Sequence, residues 1–248
     1  MVHDARELHK ALFFACAKDR VDVMRRLLDE GVEVDRETEE GVTPLQVACS
    51  KGHVAASRLL VDKGADVNRA DKNGVTPLFV ACQQGHVAAA RLMLDNGAEV
   101  DRVVSKGSYQ GQMPLWIACQ NGHVDAARLL LAEGAEIDQA DKNGDTPLSV
   151  ACADGQVDVA RLLWDCGARI HRVNESGETP LILACRNGHV DVITLLLVRG
   201  AEVDRARNDG ATPLGLACRY GHDDVEQLLL ANGARVNEFG EDSESDCY

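Results

Sequence analysis

Aromatic residues are scarce, with Phe, Trp and Tyr together making up 4% of the 248 residues. A core without rings has to be filled by Ala, Leu, Val and Cys, and within a 45% hydrophobic total that suits helices packed closely on small side chains. Basic charge is in deficit as well. Forty Asp and Glu stand against 26 Lys and Arg, a formal charge of -14; such a surface repels a phosphate backbone, so no nucleic acid is expected as partner. Long apolar runs are missing too: nothing approaches the roughly 18 residues needed to cross a bilayer, and no membrane partner is expected. At the N-terminus Asp4, Arg6, Glu7 and Lys10 precede only a short Leu12-Phe13-Phe14 cluster, which is not a signal-peptide core. These absences lead to the expectation of a soluble intracellular protein, cytoplasmic with the nucleus left open. Asn174-Glu175-Ser176 has the form of a glycosylation acceptor, read as chance without a secretory signal.

Proline is rare, and its placement reveals the organisation of the chain. The six prolines stand at 44, 77, 114, 147, 180 and 213, spaced by 33, 37, 33, 33 and 33 residues. Each is followed by Leu, then Ala-Cys at a fixed distance, then Gly, as in Thr76-Pro77-Leu78, Ala81-Cys82 and Gly85-His86. A fixed period of this size signals stacked copies of one supersecondary unit.

Each unit reads as two short helices. Thr caps the first, Pro fits its opening turn where an N–H has no partner to lose, and the Gly of Gly-His ends it. The second helix, for example Val124 to Leu131, ends at Gly134, where glycine takes the left-handed closing conformation. A short extended piece (Ala135-Glu136-Ile137-Asp138) and a turn (Asp141-Lys142-Asn143-Gly144) complete the unit. Helices under about 12 residues are marginal alone, so each unit must stack on its neighbours to bury its apolar face.

A unit of 33 residues carrying Thr-Pro-Leu, Ala and Gly-His resembles the ankyrin repeat, over nearly the whole chain. The resemblance implies an all-α ankyrin-repeat solenoid of helix-turn-helix units with short β-hairpin fingers. The family's usual His two residues after Pro is absent, replaced by Gln46, Phe79, Trp116, Ser149, Ile182 and Gly215. Seven repeats are expected, at about 5–37, 38–70, 71–107, 108–140, 141–173, 174–206 and 207–237, forming one domain over 1–237. The first has Ala11 where Pro belongs and Asp19-Arg20 for Gly-His; the last has Asp223 and Glu226 where small or apolar residues stand elsewhere. Both read as capping repeats. Residues 238–248 read as an acidic, disordered tail, with Ser243 in a setting resembling that of an acidic-directed kinase site.

The residues that suggest chemistry have structural readings. Cys16, Cys49, Cys82, Cys119, Cys152, Cys185 and Cys218 share one repeat position. Helices packed about 8–10 Å apart hold such a column beyond the roughly 7 Å Cα limit for a disulfide, so these are expected to be small buried residues in a reducing compartment. Cys166 and Cys247 are the expected exposed thiols. His53, His86, His123, His189 and His222 follow Gly at one position and are expected to bond backbone between repeats, with Gln156 substituting in the fifth. Arg25, Arg58, Arg91, Arg128 and Arg161 read as a solvated row. Trp164 sits where other copies have Leu and is assigned to the core. With no zinc spacing, phosphate loop or activated nucleophile, no catalytic residue, no metal site and no cofactor is expected.

Positions constant in all copies serve stacking, while those that vary are free to meet a partner. By the resemblance, the variable positions line a concave groove and its finger tips. They are Lys72, Asn73, Gln83, Gln84, Gln110, Gln112, Gln120, Asn121, Asp154, Arg186, Asn187, Arg219 and Tyr220. The fourth copy is the most irregular: Met113 replaces the capping Thr, four extra residues lengthen the finger around Ser105-Lys106-Gly107, and Tyr109 and Trp116 appear beside them. Clustered violations of local rules mark functional places, and Trp and Tyr are favoured anchors; the expected centre is Phe79, Tyr109 and Trp116. The reading is a monomeric, non-catalytic module, an adaptor or scaffold, that binds another protein with a basic surface; the alternative is a passive structural spacer. The resemblance also implies that Asn68, in Asp66-Val67-Asn68, and in part Asn237, are positions open to asparagine hydroxylation.

Overall fold

The computed structural model describes residues 5–236. Asn237 and the acidic tail with Ser243 and Cys247 lie outside the described residues. Fourteen α-helices and one 3-10 turn lie among those described, and they fall into two compact units.

The first unit takes in residues up to 118 together with 125–136. It holds α1 (Ala5–Ala17), α2 (Val21–Asp29), α3 (Pro44–Ser50), α4 (Val54–Asp62), α5 (Pro77–Gln83) and α6 (Val87–Asp95), with most of α7 (Pro114–Gln120) and α8 (Val124–Ala132). Helices α1, α3 and α5 pack side by side as one layer, and α2, α4 and α6 form a second layer against them. The second unit takes in 119–124 and residues from 137 onward. It repeats the arrangement: α9 (Pro147–Ala153), α11 (Pro180–Asn187) and α13 (Pro213–Tyr220) form one layer, and α10 (Val157–Asp165), α12 (Val190–Val198) and α14 (Asp223–Ala231) the other.

The capping chemistry read from the sequence is present. Thr43, Thr76, Thr146, Thr179 and Thr212 each accept, through Oγ1, the N–H three residues on, at 3.1–3.2 Å. Small buried side chains let the first helices approach: Ala48, Cys49, Ala81 and Cys82 are inaccessible to solvent. No disulfide joins the described cysteines. Desolvation pushes the thiols of Cys16, Cys49 and Cys185 up to about 12, and those of Cys82 and Cys152 higher still. Buried and protonated, they serve as packing, while Cys166 is exposed.

Three of the five histidines bond backbone between copies, as expected. The Nε2–H of His53 donates to the carbonyl of Ala17 (3.3 Å), His189 to Ala153 (2.9 Å) and His222 to Arg186 (2.9 Å), and the Gln156 amide donates to Gln120 (3.2 Å). A carbonyl has no proton to give, so the ring nitrogen must be the donor. The same contact explains the preceding glycine: a Cβ on Gly52 would meet His86 Nδ1 at 2.7 Å, and its φ of +69° suits no β-carbon.

Further out, carboxylate and amide oxygens bond the backbone of the next copy. Asp35 accepts from Asp66 N–H, Asn68 from Glu99, Asp101 from Glu136, Asp138 from Arg169 and Asp204 from Arg235. The Asn68 amide is engaged at both ends, since its Nδ2 also donates to Gly97 O at 2.9 Å.

The fingers are tight turns rather than ladders, and no strand occurs among the described residues. In one, Asp71 Oδ1 accepts the N–H groups of Asn73 and Val75 at 2.9 Å, and Asp71 N–H closes the neck on Val75 O. Asp141 and Asn174 act alike in their own turns. So few residues separate the two sides that no ladder of bonds extends beyond the turn, and the expected hairpin is reduced to its turn.

Candidate partner-binding surface

The lengthened finger between α6 and α7 is held at three places. At its neck Val104 N–H donates to Gln112 O (2.8 Å) and Gly111 N–H to Val104 O (2.9 Å). On its flank it leans on the preceding turn: the Asn73 carbonyl accepts from Ser105 N–H, Lys106 N–H and Ser105 Oγ–H, at 3.0, 2.9 and 3.1 Å. Its tip, a 3-10 turn over Gly107–Tyr109, swings Tyr109 back onto α5. There the Tyr109 ring lies 5.5 Å from that of Phe79, tilted by 55°, and its hydroxyl accepts from Gln83 Nε2 at 2.8 Å.

The aromatic centre expected from the sequence is therefore not an exposed patch. Phe79 is 1% exposed and Trp116 5%, and Tyr109 is half-buried above Phe79. The reason is register: the position three residues after the helix cap turns inward, and Gln46, Ser149 and Ile182 are buried there as well. Met113, in the place of the capping Thr, is also fully buried. Its burial contributes about 1.5–3 kcal/mol, which offsets the roughly 1 kcal/mol of a missing cap.

What faces solvent around this anchored finger is mostly polar, with Val103 the exposed apolar side chain. Lys72, Asn73, Gln84, Lys106, Ser108 and Gln110 are exposed, and Gln83 and Gln112 are half-buried. Gln112 keeps a buried Oε1 without a hydrogen-bond partner among the described residues. All of these belong to the first unit.

The other variable residues belong to the second unit and differ in exposure. Asn121, Arg219 and Tyr220 are exposed, Tyr220 at 53%, and Gln120 is half-buried. Asn187 donates to Ala153 O at 2.7 Å. Asp154 is exposed; desolvation raises its carboxyl above the usual range, partly countered by the Gln120 amide and His189. Arg186 is committed to structure: it meets the buried Glu178 carboxylate at 2.7 Å, which also holds Arg207 at 3.2 Å and accepts from Asn174 at 3.0 Å. Arg207 in turn grips Asp209 through two bonds, which hold the Asp209 carboxyl down at about 2.

One assignment is corrected. Trp164 is not a core residue but half-exposed, with the Arg199 guanidinium 5.4 Å above its ring. The reason is position: Leu28, Val61, Leu94, Leu131 and Leu197 are half-exposed there as well, and Leu230 is exposed. A signal was legible: Arg169, five residues on, stands where most copies carry Asp or Glu. Among the described residues no cluster of three His, Cys, Asp or Glu is placed to hold a metal ion, and no helix is long and apolar enough to cross a membrane.

The helix pairs, caps and stacking bonds can be set beside known proteins. A family model described as Ankyrin repeats (3 copies) matches residues 12–104, 100–174 and 166–239. The chain belongs to the ankyrin repeat family. The ankyrin repeat domain of human ASB11, a crystal structure, is similar with a TM-score of 0.82 and 34% identity, covering 91% of this chain and 99% of that one. No curated protein matches. Ankyrin repeats are in general protein–protein interaction modules and in general non-catalytic, so the frame states a class of activity and leaves the partner to the variable side chains.

Proposed function

We propose that this ankyrin repeat protein is a non-catalytic adaptor or scaffold that binds a partner protein along the groove and finger tips, centred on the lengthened finger. The observation that carries this reading is the anchoring of that finger. An insertion of no consequence has no need of a ring contact, a tyrosine hydroxyl bond and three bonds to one carbonyl. Held in this way, Lys72, Gln84, Lys106 and Gln110 present side chains at fixed positions, and pre-organisation lowers the entropy that binding must overcome.

Phe79 acts beneath the surface as the shelf on which Tyr109 rests, Trp116 is packed below the surface, and the exposed amides supply direction. Asn121, Asp154, Asn187, Arg219 and Tyr220 extend the same surface type in the second unit. The formal charge of -14 favours encounter with a basic partner and makes it sensitive to salt.

The test leaves the buried rings alone. Wild type and a Lys72→Glu, Gln84→Glu, Gln110→Glu variant, matched by thermal unfolding, are compared in quantitative capture from host lysate, with crosslinking to locate the contact. A protein captured by wild type, lost by the variant and crosslinked at residues 72–112 supports the groove. Equal capture by both, or none by either, rejects it in favour of a passive spacer.

A further inference from the structure

We propose that a notch at the C-terminal ends of α10 and α12 in the second unit, floored by Trp164, binds a carboxylate-rich peptide segment of a partner protein. The site is separate from the finger and does not depend on the reading above.

The notch is a cavity of about 510 Å³ lined by Trp164, Ala168, Arg169, Ile170, His171, Arg172 and Arg199. Three arginines and a histidine line it, and no acid does. The copy-to-copy comparison makes this informative. The corresponding extended segment of the first copy, Glu33-Val34-Asp35-Arg36, lines a different cavity of about 580 Å³ together with Glu37 and Arg69, without the counterpart of Trp164, Leu28. The segment that carries Glu33 and Asp35 in the first copy thus carries Arg169 and His171 beside Trp164, in a protein whose net charge is -14.

Three substitutions produce the change. Where Trp164 stands, the other copies have Leu28, Val61, Leu94, Leu131, Leu197 and Leu230. Where Arg169 stands they have Glu33, Asp66, Glu99, Glu136 and Glu202, with Arg235 the one other base. Where His171 stands, Asp35, Asn68, Asp101, Asp138 and Asp204 each accept a backbone N–H from the next copy. Among the described residues that bond is missing at His171, so a stacking contact is given up where the basic notch forms.

Three of these side chains have a carboxylate within 4 Å and still remain accessible to solvent. Arg199 lies over the Trp164 ring, with Asp165 at a loose 3.7 Å. Arg169 reaches Asp138 at 3.2 Å, yet its side chain remains 76% exposed. Glu202 stands 3.9 Å from both His171 and Arg205 at the rim. Arg172 is exposed, and no side-chain partner is present for it among the described residues. An indole face with guanidiniums around it offers apolar contact and forked donors, the combination that recognises a carboxylate on a peptide.

The probe is a capped hexaglutamate peptide, with capped hexaglutamine and inorganic phosphate as comparisons. Binding is read by calorimetry and by tryptophan emission in a Trp116→Phe background, where Trp164 is the reporter. Saturable binding of hexaglutamate that weakens with salt is expected, with at least a tenfold loss in Arg169→Glu, Arg172→Glu. A Trp164→Leu variant, carrying the residue of the other copies, should unfold like wild type and bind weakly by calorimetry. Failure of wild type to bind hexaglutamate, or undiminished binding by the arginine variant, overturns the proposal. Equal binding of hexaglutamine, or of phosphate alone, also overturns it, as does binding that appears only once residues 238–248 are removed, which would make the chain's own tail the occupant.

Discussion

Replacing Tyr109 with alanine removes two contacts that tie the long finger to α5. The ring contact with Phe79 at 5.5 Å contributes about 0.5–1.5 kcal/mol beyond burial. The hydroxyl bond from Gln83 at 2.8 Å, half-shielded from water, contributes about 0.5–1.5 kcal/mol. Together they hold the finger by about 1–3 kcal/mol, a change of roughly 5- to 150-fold in a local opening equilibrium. Because the loss is local, hydrogen exchange is the assay: the Val104 and Gly111 amides, bonded across the neck, should exchange faster by that factor. Amides of α11 should keep their wild-type rates. Tyr109→Phe keeps the ring and should lose only about 1 kcal/mol, and in a Gln83→Met background it should cost nothing further. Unchanged exchange at 104–112 in Tyr109→Ala would refute the anchoring, and with it the argument that the finger is pre-organised.

Other expectations follow from the same geometry. Glu178→Ala takes the carboxylate from Arg186 and leaves Arg207 with Asp209 alone; removing one member of a buried pair costs about 3–5 kcal/mol, but these arginines are 31% and 22% exposed, so a loss at or below the low end is expected in urea unfolding. The Asp145 carboxyl is raised by burial and by the nearby Asp141 and Glu178 carboxylates, against hydrogen bonds from Asn174 and Ser149. Its contribution is therefore fully present below the ordinary carboxylate pKa of about 3.9 and is lost as pH rises through the raised value. Asp145→Asn should be more stable than wild type at pH 7, with the difference gone at about pH 3 in thermal melts. A maleimide or disulfide reagent at pH 8 should label Cys166 within the described residues quickly. Cys16, Cys49 and Cys185, held near 12, should react about 10³ times more slowly than an ordinary thiol of pKa about 8.5 on pKa grounds alone; fast labelling of the column in folded protein would overturn its packing role.

The frame was readable from the amino-acid order because it is built from local, repeated rules. Thr before Pro, Gly before His, and an Asp opening each turn have their causes within a few residues of themselves. Thr43 and Gln46, or Asp71 and Val75, satisfy one another without help from elsewhere in the chain. Repetition then supplies the stacking, because what faces a copy is another copy. Even the histidines could be assigned, since a role repeated along a stack has to be structural.

The surface was decided by contacts between copies that differ. Variability identified Phe79 and Trp116 as unusual, but whether a ring points outward depends on what lies beside it. At that register the neighbour is a packed helix, so both rings are buried. Trp164 went the other way: Leu in the other copies suggested core, yet the position is half-exposed along the stack, and there the indole meets Arg199 from the next copy. Tyr109 could be placed beside the finger by counting, but its fold back onto Phe79 and Gln83, 30 and 26 residues away, required the turn at Gly107 and the carbonyl of Asn73. Amino-acid order determines repeats because their forces are short in sequence; which variable side chains remain open to a partner is long-range packing, and only the tertiary structure settles it.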